Sequence, residues 1–81
     1  MPGSTSRSSP FYYRFQHEAP KPGETVHCFT DLTAFRGFIR MMRQHDPDAR
    51  RMRCWEVRGQ FVRADEDDAV VKVLSAKEIA V

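Results

Sequence analysis

The residues best able to do chemistry in this chain are two cysteines and three histidines. Cys28, Cys54, His17, His27 and His45 lack the paired spacings, such as Cys-x-x-Cys or His-x-x-x-His, that are typical of zinc sites. Strand alternation also places His27 and Cys28 on opposite faces of a sheet. Neither cysteine has the sequence signature of an activated nucleophile. The sequence therefore predicts no catalytic residue, no metal ligand and no cofactor.

Carboxylates are concentrated in one acidic run, Asp65-Glu66-Asp67-Asp68. A calcium loop alternates its oxygen ligands, includes a glycine at the turn and ends in a glutamate at fixed spacing. Here the acids are contiguous and the glycine is missing, so we expect a solvated loop. The isolated Glu56 is expected to pair with an arginine, Arg58 or Arg63.

Arginine gives the strongest functional signal. The net charge is only +2, but ten of the thirteen basic residues are arginine, and six of these lie close together. The six are Arg36, Arg40, Arg43, Arg50, Arg51 and Arg53. Only Asp46 and Asp48 oppose them locally, whereas the acidic run lies further along the chain. Such separation of charge predicts a molecule with one end that attracts anionic partners.

Three of these arginines are predicted to share a helix face. Arg36, Arg40 and Arg43 are spaced four and three residues apart, which places them side by side on a helix. The others extend the patch if the following segment folds back. The alternative is an ordinary solvated face whose ion pairs contribute little. Tyr12 and Trp55 are candidate aromatic anchors for a partner, although a buried Trp55 would belong to the core.

The size and composition of the chain limit the kinds of fold that it can adopt. With 81 residues and a mass of 9.4 kDa, the chain is near the lower limit for folding without disulfides or metals. Residues 1–10 form a Ser/Pro/Gly-rich tail that we predict to be disordered, and residues 11–81 form a single α+β domain. Two cysteines are too few for a disulfide framework, although a Cys28–Cys54 bridge is open if their strands are neighbours.

The chain carries neither a signal-peptide pattern nor an apolar run long enough to span a bilayer. We therefore expect a soluble, cytoplasmic protein that does not bind membranes.

Local patterns predict the order β-β-α-β-β-β. Aromatic and β-branched runs predict five strands: Phe11–Phe15, Thr25–Phe29, Met52–Arg58, Gln60–Ala64 and Ala69–Leu74. An apolar stripe at helical spacing predicts a helix from Asp31 to His45, in which Gly37 suggests close packing. A short helical turn should follow at Pro47.

Two further turns are predicted near the end of the chain. Gly59 should form a hairpin turn, and Ser75-Ala76-Lys77-Glu78 matches a helix capping box. The expected fold class is α+β, with a small, mostly antiparallel sheet of four to five strands covered on one face by a single main helix.

Three short segments resemble small ADP-ribosyltransferases of the rifampin-modifying type. They are Phe11-Tyr12-Tyr13-Arg14-Phe15, Phe29-Thr30-Asp31-Leu32 and Val70-Val71-Lys72-Val73-Leu74. The resemblance implies a minimal NAD-dependent transferase, with Tyr13 at the place of that family's NAD-binding histidine. Arg14 would match an arginine used by another branch. The family's tyrosine loop and acidic catalytic residue have no counterpart in this chain.

The predicted function is non-enzymatic binding. We expect an adaptor, regulator or inhibitor, of the kind carried by phages or plasmids, that docks an acidic protein partner through its arginine-rich helix face. The chain would be a monomer or a homodimer. One alternative is a nucleic-acid-binding regulator that uses the same arginines, although no helix-turn-helix, zinc finger or RNP-like motif is present. The other alternative is the transferase activity that the resemblance implies.

Overall fold

The computed structural model describes residues 11–66 and 68–81, so the tail predicted to be disordered, residues 1–10, lies outside the described residues. In chain order the elements are β1 (Phe11–Gln16), β2 (Thr25–Phe29), α1 (Leu32–His45), a 3-10 helix (Pro47–Arg51), β3 (Arg53–Asp65) and β4 (Asp68–Ile79). One main helix packs against a four-stranded antiparallel sheet. The predicted α+β class is therefore confirmed.

The sheet closes on itself in the order β1-β2-β4-β3, with every pair antiparallel. The β3–β4 hairpin is the longest strand pairing in the sheet, with Cys54 opposite Ile79 at one end and Asp65 opposite Asp68 at the other. β1 pairs with β3 along the end that contains Cys54, and β2 pairs with β4 along the other end. β1 and β2 meet only where Tyr13 lies opposite Phe29 among the described residues.

Two apolar clusters lie on opposite faces of the strands, as the period of two in a strand requires. One cluster consists of Cys28, Trp55, Val57, Ala69, Val71 and Val73. The other is built where α1 buries Phe35 and Ile39 against Cys54 and the aromatic rings of β1 and β2. The Phe35 ring lies 5.5 Å from that of Tyr13 and 5.3 Å from that of Phe29. These ring contacts fix the position of α1 on the sheet.

The ends of α1 follow from local capping. The Asp31 side chain accepts a hydrogen bond of 2.9 Å from the Ala34 backbone N–H, which is the expected role of an N-cap aspartate. The helix ends at His45, just before Asp46 and Pro47, because a proline disfavours helical geometry in the preceding residue. Both the predicted helix and the short turn after it are confirmed.

The predicted hairpin turn at Gly59 is wrong, because β3 continues through this residue to Asp65. The register between β3 and β4 shifts at Gly59. A Cβ atom there would lie 2.2 Å from the Lys72 carbonyl oxygen. The glycine therefore permits a close approach of two strands rather than a reversal of the chain. The close packing predicted at Gly37 is wrong too. A Cβ atom at Gly37 would meet nothing within 4 Å.

The predicted helical turn at Ser75–Glu78 is wrong as well. β4 extends to Ile79, with Ser75 opposite Arg58 and Lys77 opposite Glu56 in β3. Cross-strand pairing thus overrides the local capping pattern. The chain instead reverses just after Asp65, where Glu66 has a φ of 54°. The third and fourth predicted strands are one strand, which leaves four strands in the described chain.

Candidate anion-binding groove

Four of the six clustered arginines line a single groove on the surface of α1. The groove has a volume of about 620 Å³. It is lined by Arg36, Ile39, Arg40, Arg43, Gln44, Arg50 and Val81. Guanidinium groups therefore surround a cavity that also has an aliphatic lining.

The secondary structure explains why these residues converge. α1 presents Arg36, Arg40 and Arg43 on one face, as their spacing predicts. The 3-10 helix folds back after α1 because Asp46 caps it and proline begins it, and this brings Arg50 to the same groove. Val81 lies just beyond the end of β4 and also lines the groove. Its position depends on the pairing of Ile79 with Cys54 in β3, which is distant in sequence.

The groove arginines are not neutralised by neighbouring carboxylates. No ion pair joins Arg36, Arg40 or Arg50 to an acid within residues 11–66 and 68–81. The two acids closest in sequence have other partners. Asp46 accepts a hydrogen bond of 3.0 Å from the Asp48 backbone N–H, and the Asp48 carboxylate lies 3.0 Å from His17 Nε2. The positive charge of the groove is thus available to an external anion.

Arg43 is held at the edge of the groove by an aromatic ring. Its guanidinium lies 5.8 Å from the centre of the Phe15 ring, a cation–π geometry that restrains the side chain without using its charge for an ion pair. Arg43 also lines an adjoining cavity of about 510 Å³, together with Arg53 and Glu78. The two openings therefore share one arginine.

The remaining two clustered arginines do not line the groove. Arg53 faces the adjoining cavity, where its guanidinium lies 3.8 Å from the Glu78 carboxylate. Arg51 is exposed at the end of the 3-10 helix. The predicted patch is therefore divided: four arginines line the groove, Arg53 pairs with an acid, and Arg51 is exposed outside the groove.

Neither aromatic candidate lies in the groove. Trp55 is 7% exposed, and its indole N–H donates a hydrogen bond of 3.0 Å to the Gln16 carbonyl oxygen. Tyr12 is half-buried against the same apolar cluster. Trp55 therefore belongs to the core, as one of the two sequence interpretations predicted, and it is not an exposed anchor for a partner. The apolar residues that line the groove are instead Val81, which is half-buried, and Ile39, which is almost fully buried, and the sequence reasoning missed both.

Ile39 could have been found from the sequence, since it lies between the arginines on the same turns of α1. Val81 gave no such signal, because its approach depends on the path of β4.

The carboxylates lie at the opposite end of the hairpin. Asp65 Oδ2 is 3.0 Å from His27 Nε2 and 4.0 Å from the Arg63 guanidinium. β4, which has 12 residues, separates this end from the groove, and a strand of that length spans roughly 36 Å when extended. The predicted ion pair of Glu56 with Arg58 or Arg63 is not formed, and the Arg58 guanidinium instead lies 5.4 Å from the Phe11 ring centre.

Both cysteines are buried, free thiols, so the disulfide left open by the sequence is absent. Burial raises the pKa of the Cys28 thiol to about 11. Burial also raises the pKa of Cys54, although the neighbouring Arg43 guanidinium acts in the opposite direction. A raised thiol pKa is the reverse of what an activated nucleophile requires.

Residues 11–66 and 68–81 contain no cluster of three or more His, Cys, Asp or Glu side chains able to hold a metal ion. None of the described helices is long and apolar enough to cross a membrane.

The residues that carry the transferase resemblance have structural roles. The Tyr13 ring stacks on Phe35, and Arg14 donates hydrogen bonds of 2.8 Å to Gln16 Oε1 and 2.9 Å to the His27 carbonyl oxygen. No family model matches the sequence, and comparisons with curated proteins and with solved structures likewise find no match. The transferase activity stays a hypothesis from the sequence.

Proposed function

We propose that this protein is a small non-enzymatic binding protein, acting as an adaptor, regulator or inhibitor, that holds an acidic segment of a protein partner in its arginine groove. One observation carries the proposal: Arg36, Arg40, Arg43 and Arg50 line one cavity, and no ion pair within the described chain neutralises them. Arginine suits this role because its planar guanidinium donates two parallel hydrogen bonds to a carboxylate.

The aliphatic lining of the groove favours a peptide over a nucleic acid. Half-buried Val81 offers a contact to an apolar side chain among the charged groups, whereas Ile39 lines the groove but is only 2% exposed. Binding of single-stranded nucleic acid usually requires exposed aromatic rings on which bases stack. Tyr13 and Phe15 are instead packed against α1. The ligand that fits best is therefore an acidic peptide that also carries an aliphatic residue.

A double charge reversal, Arg36→Glu with Arg40→Glu, tests the groove. A carboxylate about 5 Å from a guanidinium gains about 0.8 kcal/mol in water, and reversal replaces this attraction with a repulsion of equal size. Two such sites change the binding free energy by about 3.3 kcal/mol before screening. Physiological salt, with a Debye length of about 8 Å, leaves roughly half of this value. We therefore expect about 20-fold weaker binding.

The binding assay is fluorescence anisotropy with a fluorescein-labelled peptide of alternating glutamate and leucine. Both arginines are exposed, so the thermal midpoint of the variant should be nearly unchanged. The matched control is Arg58→Glu with Arg63→Glu, which makes the same change in net charge at two exposed arginines outside the groove. An equal loss of affinity in the control would contradict a localised site.

The nucleic-acid alternative is tested in parallel with a labelled single-stranded oligonucleotide. Release of counterions from phosphates makes such binding fall steeply as salt increases. Tighter binding of the oligonucleotide than of the peptide, with a steep salt dependence that the groove reversal abolishes, would favour this alternative over the protein partner.

A further inference from the structure

We infer that a second copy of this chain is one partner of the groove, and this inference rests on the proposed function. The β3–β4 hairpin ends in an acidic tip, defined here as Asp65, Glu66 and Asp68. In the inferred dimer, the acidic tip of each copy enters the arginine groove of the other. The groove thus binds an acidic segment that the protein itself carries.

Charge complementarity supports this occupant. Neither Glu66 nor Asp68 forms an ion pair within residues 11–66 and 68–81, and Asp65 has only exposed partners, His27 and Arg63. In the tip Asp65 and Glu66 are exposed and Asp68 is half-buried, whereas the groove is lined by four arginines and by no Asp or Glu side chain of the described residues. Each surface therefore has the charge that the other needs, which favours association of two copies.

Apolar side chains near the tip match the aliphatic lining of the groove. Phe61 is 57% exposed and Val62 is 52% exposed, on the part of β3 that leads to the tip. Exposed apolar residues grouped near charged ones are typical of interaction sites. The hairpin therefore offers both features of the expected ligand, carboxylates and apolar side chains.

The positions of the two surfaces permit a closed dimer. The groove includes Val81, just beyond the end of β4, and the tip lies at the start of β4, so the strand separates them. The chain is elongated, with extents of 45 × 25 × 23 Å. Two copies placed side by side in opposite directions bring each tip to the partner's groove. This arrangement is two-fold symmetric and closes after two subunits.

The test uses two charge-reversed variants and their mixture. The tip variant is Asp65→Lys with Glu66→Lys, and the groove variant is Arg36→Glu with Arg40→Glu. Each variant alone brings like charges together and should be monomeric. When the two are mixed, the positive tip meets a reversed groove and the acidic tip meets a native groove. The mixture should therefore regain the dimer.

The measurement is sedimentation equilibrium at low salt, in which the wild-type chain should have twice the 9.4 kDa mass of one copy. We expect at least a tenfold weaker dimer for each variant alone and near wild-type association for the mixture. A monomeric wild-type chain overturns the inference. So does a tip variant that dimerises like the wild type, or a mixture that stays monomeric.

Peptide binding separates this inference from the proposed function. The tip variant keeps its groove arginines, so it should bind the glutamate–leucine peptide at least as well as the wild type does. Peptide binding by a wild-type chain that is always monomeric would refute self-docking and leave the proposed function intact. If neither the wild type nor the tip variant binds the peptide, the proposed function itself fails.

Discussion

Replacing glycine with alanine at two positions, Gly59 and Gly37, should have opposite effects on stability. At Gly59 the new Cβ atom would lie 2.2 Å from the Lys72 carbonyl oxygen and 2.7 Å from Val71 Cγ1, far inside van der Waals contact. Lys72 is paired with Thr25 in β2, so its backbone cannot move alone. Overpacking of this kind costs about 3 kcal/mol, which corresponds to a thermal midpoint lower by roughly 12–24 °C in a domain of this size.

At Gly37 the same substitution meets nothing within 4 Å, and the position is exposed on α1. Alanine has a higher helix propensity than glycine, so Gly37→Ala should stabilise the protein by about 1 kcal/mol. Urea unfolding, followed by the fluorescence of Trp55, the single tryptophan, measures both variants. If Gly59→Ala is as stable as the wild type, the close approach of β3 and β4 is refuted. If Gly37→Ala lowers the stability, the open position of Gly37 on α1 is refuted instead.

Two further predictions concern a buried thiol and a helix cap. The pKa of Cys28 is raised from 9.0 to about 11, so its thiolate fraction, and hence its alkylation by iodoacetamide, should be about 100-fold below that of the unfolded chain. Because the unfolded thiol ionises first, the contribution of Cys28 to stability should be constant below pH 9.0 and be lost as pH rises towards about 11, and equal alkylation rates would contradict this. Asp31→Ala should cost about 1 kcal/mol in urea unfolding, whereas Asp31→Ser should retain most of the stability as the matched control.

The sequence was a good guide wherever structure is set by neighbours along the chain. The apolar stripe of α1, the N-cap at Asp31 and the break before Pro47 are local features, and each appears as predicted. The alternation of His27 and Cys28 was also correct, with Cys28 buried and His27 exposed. Such features depend on spacing and backbone preference, which a single sequence contains.

The sequence misled where a distant strand decides the structure. Gly59 has the composition of a turn, but its role is to admit the Lys72 carbonyl oxygen from β4. Ser75 begins a capping pattern, yet it lies opposite Arg58 in an extended strand. Both positions contact residues more than ten places away in sequence, and no local pattern encodes those pairings.

In the groove, too, the sequence predicted the local features and missed those that depend on distant strands. The spacing of Arg36, Arg40 and Arg43 predicted their common face, because a helix repeats every three to four residues. Arg53 was expected to join them, but β4 places Glu78 within 3.8 Å of it. Val81 was not predicted to contribute at all. Sequence reasoning therefore identified the charge of the site but not its boundary.

The two irregularities in the β3–β4 ladder affect how the protein behaves at high concentration. No strand within the described chain pairs with the outer edge of β3 between Gln60 and Asp65, and exposed apolar groups flank this edge. A straight strand of this kind would be a template for the stacking of sheets into fibrils. The register shifts at Arg58/Gly59 and Phe61/Arg63 bend and twist the edge. A concentrated solution of the protein should consequently resist amyloid-like aggregation.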